Sequence, residues 1–246
     1  DFLEEWSMFG TESSTYRDKL KAEKLPHSKF ATKDTQWKIL NHMIDEMQNF
    51  KEGDNVIMDR CPIDNLVYSL WCFEKGVGDI DEAFIDKCIP IVCESMRNLD
   101  IIYFIPITKT APVEIVEDGV REIDPMYIKE IDNIFKMIGA QQIENNGKNP
   151  FFPKDDSPTW IEVFGDRLVR IAMIKQYLDV DGDLIGGTKE SLEALVNPYD
   201  GKSMDENKEA MEALVDFQKK TEQFDKDITD ERKKIKEVFG EDGIIT

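Results

Sequence analysis

The sequence predicts an α/β fold: a parallel sheet with helices on both faces, followed by a C-terminal α-helical extension. Three observations carry it. Short runs such as "NVIMD", "DIIYFIP" and "TWIEVFG" are apolar through most of their length, as strands buried on both faces are. Longer segments of helical spacing separate these runs, and strands alternating with helices imply a parallel sheet. Finally, charged residues gather where the apolar runs end.

The elements follow in order. "EEWSMFGTE" reads as a short strand ending near Thr11 and Glu12, and "STYRDKLKAEKL" as a helix stopped by Pro26. In "TKDTQWKILNHMIDEMQNF", Trp37, Ile39, Leu40, Met43, Ile44 and Met47 recur at helical spacing, with Thr32 or Asp34 as cap. "NVIMD" is the next strand, and "PIDNLVYSLWCFEKG" a helix that Gly76 ends. "DEAFIDKCIPIVCESMRNL" predicts a helix bent or broken at Pro90. "DIIYFIP" has the strongest buried-strand pattern, and "ITKTAPVEIVEDGVREID" is a polar excursion after it. "PMYIKEIDNIFKMIGA" is a helix opened by Pro125, "TWIEVFG" a strand and "DRLVRIAMIKQYL" a helix. Residues 1–180 thus read as one α/β domain, and 181–246 as an acidic linker with a helical extension.

Composition narrows the function. The 31 Lys and Arg residues face 51 Asp and Glu, a net charge of -20, which disfavours sequence-independent binding to nucleic acid or to an anionic membrane. No apolar stretch approaches the roughly 20 residues that span a bilayer. Cys61, Cys72, Cys88 and Cys93 lie in or beside apolar patterns without a CxxC pair, and the histidines are His27 and His42 alone. Reduced, buried thiols in a cytoplasmic protein are expected.

In open parallel sheets, ligands bind beyond the carboxyl ends of the strands. Those ends carry Glu12, then Asp59 with Arg60, then Pro106 leading into the polar excursion, then Gly165 with Asp166 and Arg167. An acid and a base side by side after "NVIM" suit a phosphate and its metal. Asp59 is placed to orient a hydrated Mg²⁺ or to hold Arg60, whose planar fork of donors suits a phosphate. The plainer alternatives are a helix-capping role for Asp59 ahead of Pro62, and a surface ion pair between Arg60 and Asp64.

"VIMDRCPIDNLVY", "LDIIYFIPITK", "EDGVREIDPMYIKEID" and "WIEVFGDRLVRIAMIKQYL", in that order, resemble P-loop kinases of the nucleoside and nucleoside-monophosphate group. The nearest cousins are thymidylate-kinase-like and nicotinamide-riboside-kinase-like ATPases, a class common in bacteria and bacteriophages. The resemblance spans roughly residues 5 to 180 and implies ATP and Mg²⁺ as cofactors. Its reaction is phosphoryl transfer to a nucleoside, a nucleotide or a related small metabolite in a bacterial or phage-infected cell. In that family Asp59 and Arg60 match the DR pair, and Glu12 stands where nucleoside kinases carry a carboxylate that accepts the proton of the substrate hydroxyl. "TESS" also reads as a helix cap.

Tyr16, Arg17 and Asp64 fall where an acceptor would bind, although Tyr16 and Arg17 also suit a solvated helix face. Arg121, in "VEDGVREID" with Gly119 as a hinge, matches the lid arginine that closes over the transferring phosphate; an Arg in an acidic loop is otherwise solvated. Gly165 and Arg167 resemble the turn that packs on adenine, or form a plain strand-to-helix connection. No GxxxxGK[ST] occurs in the 246 residues, yet that loop grips the triphosphate in such enzymes. The chain opens at Asp1 without an initiator Met. Either the loop precedes Asp1, with Asp1 to Trp6 as the tail of its helix, or the fold has lost catalysis and serves binding or assembly.

"DVDGDLIGG" alternates Asp179, Asp181 and Asp183 like a calcium loop, but Leu184 stands where such a loop requires Gly, so a turn is expected. After the linker-like "NPYDGKSMDENK", residues 211–239 carry Leu214, Phe217, Thr221, Phe224, Ile228, Glu231, Ile235 and Val238, which step by alternating three and four residues along a heptad seam. That helix would fold back on the domain or pair with a second chain as a homo-oligomer.

Overall fold

The computed structural model describes residues 10–12, 16–51, 53–108, 123–144, 149–179, 182–189 and 191–192. They fall into two compact units, one within Asp1–Ile107 and Val113–Trp160, the other within Thr108–Pro112 and Ile161–Thr246. The architecture is α/β, built from helices and short strands.

The first unit opens with strand β1 (Gly10–Glu12), followed by helices α1 (Arg17–Glu23) and α2 (Lys33–Met47) and strand β2 (Val56–Met58). β1 and β2 pair in parallel, with Gly10 opposite Val56, Thr11 opposite Ile57 and Glu12 opposite Met58. A parallel pair needs a crossover, and α1 and α2 supply it. Thr32 caps α2, its hydroxyl accepting from the Thr35 N–H at 3.3 Å. Leu40, Met43 and Met47 share the buried face of α2.

Helix α3 (Pro62–Lys75) is the hub of this unit. It packs against α2, against α4 (Glu82–Ser95) and against α5 (Pro125–Glu144). Ile63, Leu66, Val67, Trp71 and Cys72 are all buried, as the near-continuous apolar sequence of this helix requires. Between α2 and α3 the buried Asn65 amide nitrogen donates to the Gln36 carbonyl at 3.0 Å, giving that buried N–H a partner. Gly76 ends α3 at φ 63°, the left-handed cap that favours glycine.

Of the bend or break expected at Pro90, the break does not occur: α4 runs through Pro90 to Ser95 and continues as a 3₁₀ turn, Met96–Asn98. Pro90 removes the donor for the Asp86 carbonyl, and both residues are exposed, so water can replace the lost bond. Strand β3 (Ile101–Phe104) is also less buried than its sequence suggests, with Phe104 alone fully inside. Among the described residues it pairs only with β4 (Thr159–Glu162), and a ladder with one neighbour leaves much of a strand uncovered. Phe104 stacks on Phe135 with centroids 5.6 Å apart and lies 5.5 Å from Trp160.

Past β3, the Ile107 N–H donates to the buried Asp132 carboxylate on α5 at 2.9 Å, and Lys136 pairs with the same group at 2.6 Å. The segment before β4 is held by a two-point fork, in which Arg97 Nη1 and Nη2 donate to Asp155 at 3.0 and 3.2 Å.

The second unit contains helix α6 (Arg167–Lys175) and the turn after it. Asp166 caps α6 by accepting from the Val169 N–H at 3.0 Å. In "DVDGDLIGG", Leu178 and Leu184 form an antiparallel bridge, and the Asp183 N–H donates to Asp179 Oδ1 at 3.0 Å. The Gly182 N–H also donates to the Asp179 carbonyl at 3.3 Å, so the described residues of this stretch carry turn hydrogen bonds. Among the described residues, no helix is long and apolar enough to cross a membrane, and all four cysteines are free thiols, three of them buried.

Candidate functional site

The site begins where β2 hands over to α3. Pro62 disfavours helical backbone at the preceding residue, and Cys61 is extended at φ -138°. The reversal between strand and helix therefore falls on Arg60, at φ 78°. Few non-glycine residues occupy that region, and a left-handed residue costs roughly 1 to 2 kcal/mol. Such strain persists only where the surroundings enforce it, commonly at functional sites.

Those surroundings are specific. Arg60 is partly buried, and its Nη1 donates to the Tyr68 hydroxyl at 3.2 Å. Its guanidinium carbon lies 5.5 Å from the Tyr68 ring centroid. Burial alone would lower the guanidinium pKa; the neighbouring Tyr68, Asp64 and Asp59 outweigh it and leave the pKa raised. Asp64 shows the converse. Burial pushes its carboxyl above the usual range, against the pull of Arg60 and of the Cys61 N–H that donates to it at 3.1 Å. The Cys61 thiol is pushed well up, first by burial and then by Asp64.

Asp64 thus closes the capping box of α3 with Cys61. The capping role that the sequence left open for Asp59 falls to Asp64, while Asp59 is exposed at the strand end. The β1–β2 register puts Glu12 opposite Met58, so Glu12 ends its strand one position short of the neighbouring Asp59. The fold therefore brings Glu12, Asp59 and Arg60 to one edge of a parallel pair, with Asp64 behind Arg60.

Tyr16 precedes α1 at φ 52°, so it is not on the helix face. Its ring packs 4.9 Å from that of His42 on α2, with Lys19 Nζ 4.9 Å from its centroid. Arg17 is the first residue of α1. Gly165 and Arg167 belong to the second unit. Gly165 has φ 91°, and a Cβ there would meet Val169 Cγ1 at 2.9 Å; Arg167 opens α6 and is exposed. Arg121, Gly119 and the heptad seam in 211–239 lie outside the described residues.

Sequence reasoning did not single out Tyr68 as a site residue, although a signal was present. Tyr68 follows Asp64 by four residues in α3, one turn along the same face, and the capping box turns that face toward Arg60. Beyond Tyr68 lies a further contact chain. Its ring stacks on Tyr127 with centroids 6.4 Å apart, and Tyr127 meets Trp71 edge-on at 4.6 Å. Trp71 Nε1 donates to Glu130 at 2.8 Å, and Lys75 pairs with the same carboxylate at 2.7 Å. Compared with protein-family models, curated proteins and solved structures, the chain matches none.

Proposed function

We propose that this protein transfers a phosphoryl group from ATP to a nucleoside, a nucleotide or a related small metabolite, with the strand-end cluster as its phosphate-facing edge. The observation that supports this most is the parallel register of β1 and β2, which gathers Glu12, Asp59 and Arg60 at adjacent carboxyl ends. Phosphoryl transfer asks chiefly for positioning and charge neutralisation, and those three side chains are of the right kinds.

The donor set also suits Mg²⁺. That ion keeps several waters and is commonly held through one or two carboxylates plus substrate phosphates, so the exposed Asp59, with Glu12 on the next strand, fits it in kind. Such a site does not need a cluster of three or more protein ligands, and among the described residues there is none. When bound, the ion would supply charge neutralisation for the phosphates. Arg60 would donate to a phosphate oxygen, and Glu12 would accept the proton of the acceptor hydroxyl. The finer fold in this proposal, a P-loop kinase sheet with helices on both faces, rests on the sequence resemblance, as do the lid role of Arg121 and a cytoplasmic location.

The test is calorimetric titration of Mg²⁺·ATP into protein expressed from its complete reading frame, followed by a screen of nucleosides and nucleotides as acceptors. Micromolar, Mg²⁺-dependent binding with transfer that Arg60→Ala and Arg121→Ala abolish is expected. Absence of heat and of thermal stabilisation at millimolar ATP overturns the proposal and directs attention to a binding or assembly role.

A further inference from the structure

Arg60 enters its site from a backbone that holds it at positive φ, but φ does not fix a long side chain. Four rotatable bonds separate Cα from the guanidinium, and each well-defined rotamer must be selected by a contact. The Tyr68 hydroxyl supplies one, at 3.2 Å from Nη1. Tyr68 is itself restrained, since its ring lies 21° from parallel to that of Tyr127, which is only 4% exposed. The Tyr68 hydroxyl therefore stands on a ring of α3 that is braced by a ring of α5.

We propose that Tyr68 is the positioning residue for Arg60: its hydroxyl selects the rotamer that presents the guanidinium at the β2 strand end. This deepens the phosphoryl-transfer proposal and rests on it for the chemical consequence, but the positioning has its own observable. Tyr68 does not touch the reacting phosphate in this scheme. It acts through Arg60 alone, as a neutral acceptor that orients the cation without cancelling its charge, unlike the neighbouring carboxylates. Glu130, which accepts from Trp71 and Lys75, anchors the far end of the same aromatic series.

Tyr68→Phe removes the hydroxyl and keeps the ring that stacks on Tyr127. The first readout is NMR of ¹⁵N-arginine-labelled protein, with the Arg60 Nη signals assigned by their loss in Arg60→Lys. Rotation about the Arg60 Cζ–Nη bonds should accelerate about tenfold in Tyr68→Phe, the scale of one lost hydrogen bond to a charged group. Unchanged Arg60 signals overturn the proposal, whatever the activity. The second readout is transfer kinetics. Tyr68→Phe should lower kcat about tenfold at unchanged KM, since an orientation needed in the transition state is lost. A kcat equal to that of the transferring wild-type protein overturns the proposal. A wild-type protein that transfers no phosphate defeats the enzymatic proposal instead, and the NMR result still decides whether Tyr68 positions Arg60.

Discussion

Replacing Arg60 with glycine and with alanine separates the backbone of this site from its side chain. Both variants remove the guanidinium, its bond to Tyr68 at 3.2 Å and the cation beside Asp64. They differ in what happens at φ 78°. Alanine keeps the left-handed conformation and its cost of roughly 1 to 2 kcal/mol, which glycine does not incur. Glycine in turn makes the unfolded chain looser, giving back about 0.4 to 1 kcal/mol. Arg60→Gly should therefore be more stable than Arg60→Ala by about 1 kcal/mol, or roughly 2 to 4 °C in Tm for a domain of this size. Parallel urea titrations measure the difference as a change in midpoint at constant slope. Neither variant should transfer phosphate, so the pair would dissociate stability from activity at one position. Equal stability, or a more stable alanine variant, would refute the claim that the fold forces residue 60 across the left-handed region.

Other consequences can be checked on the same protein. Gly139→Ala would place a Cβ 2.4 Å from Trp160 Nε1 and 2.6 Å from Cε2. That buried ring cannot swing aside, so overpacking of about 1 to 3 kcal/mol should exceed the helix-propensity gain of about 1 kcal/mol, and a lowered urea midpoint is expected. In acid, Asp81, Asp124, Glu130 and Asp155 should each destabilise the fold, because their cationic or backbone donors hold their pKa values below the unfolded ones. Their contribution is present above the unfolded values and is lost as pH falls through the folded ones. Asp64 has the opposite sign, since burial raises its pKa. Its contribution is complete below the unfolded value and declines as pH rises through the folded one, so Asp64→Asn should flatten that part of a stability-against-pH curve. Finally, iodoacetamide at pH 8 should label the half-buried Cys93 first. Burial pushes the Cys72 and Cys88 thiols to about 11 and the Cys61 thiol higher still, and thiolate is the reactive form; mass spectrometry of partly labelled protein would read the order.

The sequence was most legible where one residue type has one physical use. Thr32 before a helical period, Pro62 at a helix start, Gly76 after an apolar run and Asp166 ahead of "RLVRI" each mark an element boundary, and the structure uses all four there. It was less legible where a residue's effect depends on what surrounds it. Pro90 is expected to bend or break a helix, but its lost hydrogen bond falls on an exposed face that water can reach, and α4 continues through it. "DIIYFIP" is apolar enough for a central strand, yet burial is decided by the number of neighbours, which spacing does not encode. The same distinction runs through the candidate site. That Asp59 and Arg60 end a strand could be read from "NVIMDR"; that the capping acid is Asp64, and not Asp59, could not. The assignment follows from Pro62, which makes Cys61 extended and starts the helix at 62, so that Asp64 becomes the third helical residue and its carboxylate reaches the Cys61 N–H. With Asp64 committed to the cap, Asp59 is left at the exposed strand end, and the turn between them has only Arg60 in which to reverse. The positive φ of Arg60 is then a consequence of the capping box, and the Arg60 guanidinium is held by the same local chemistry that starts the helix.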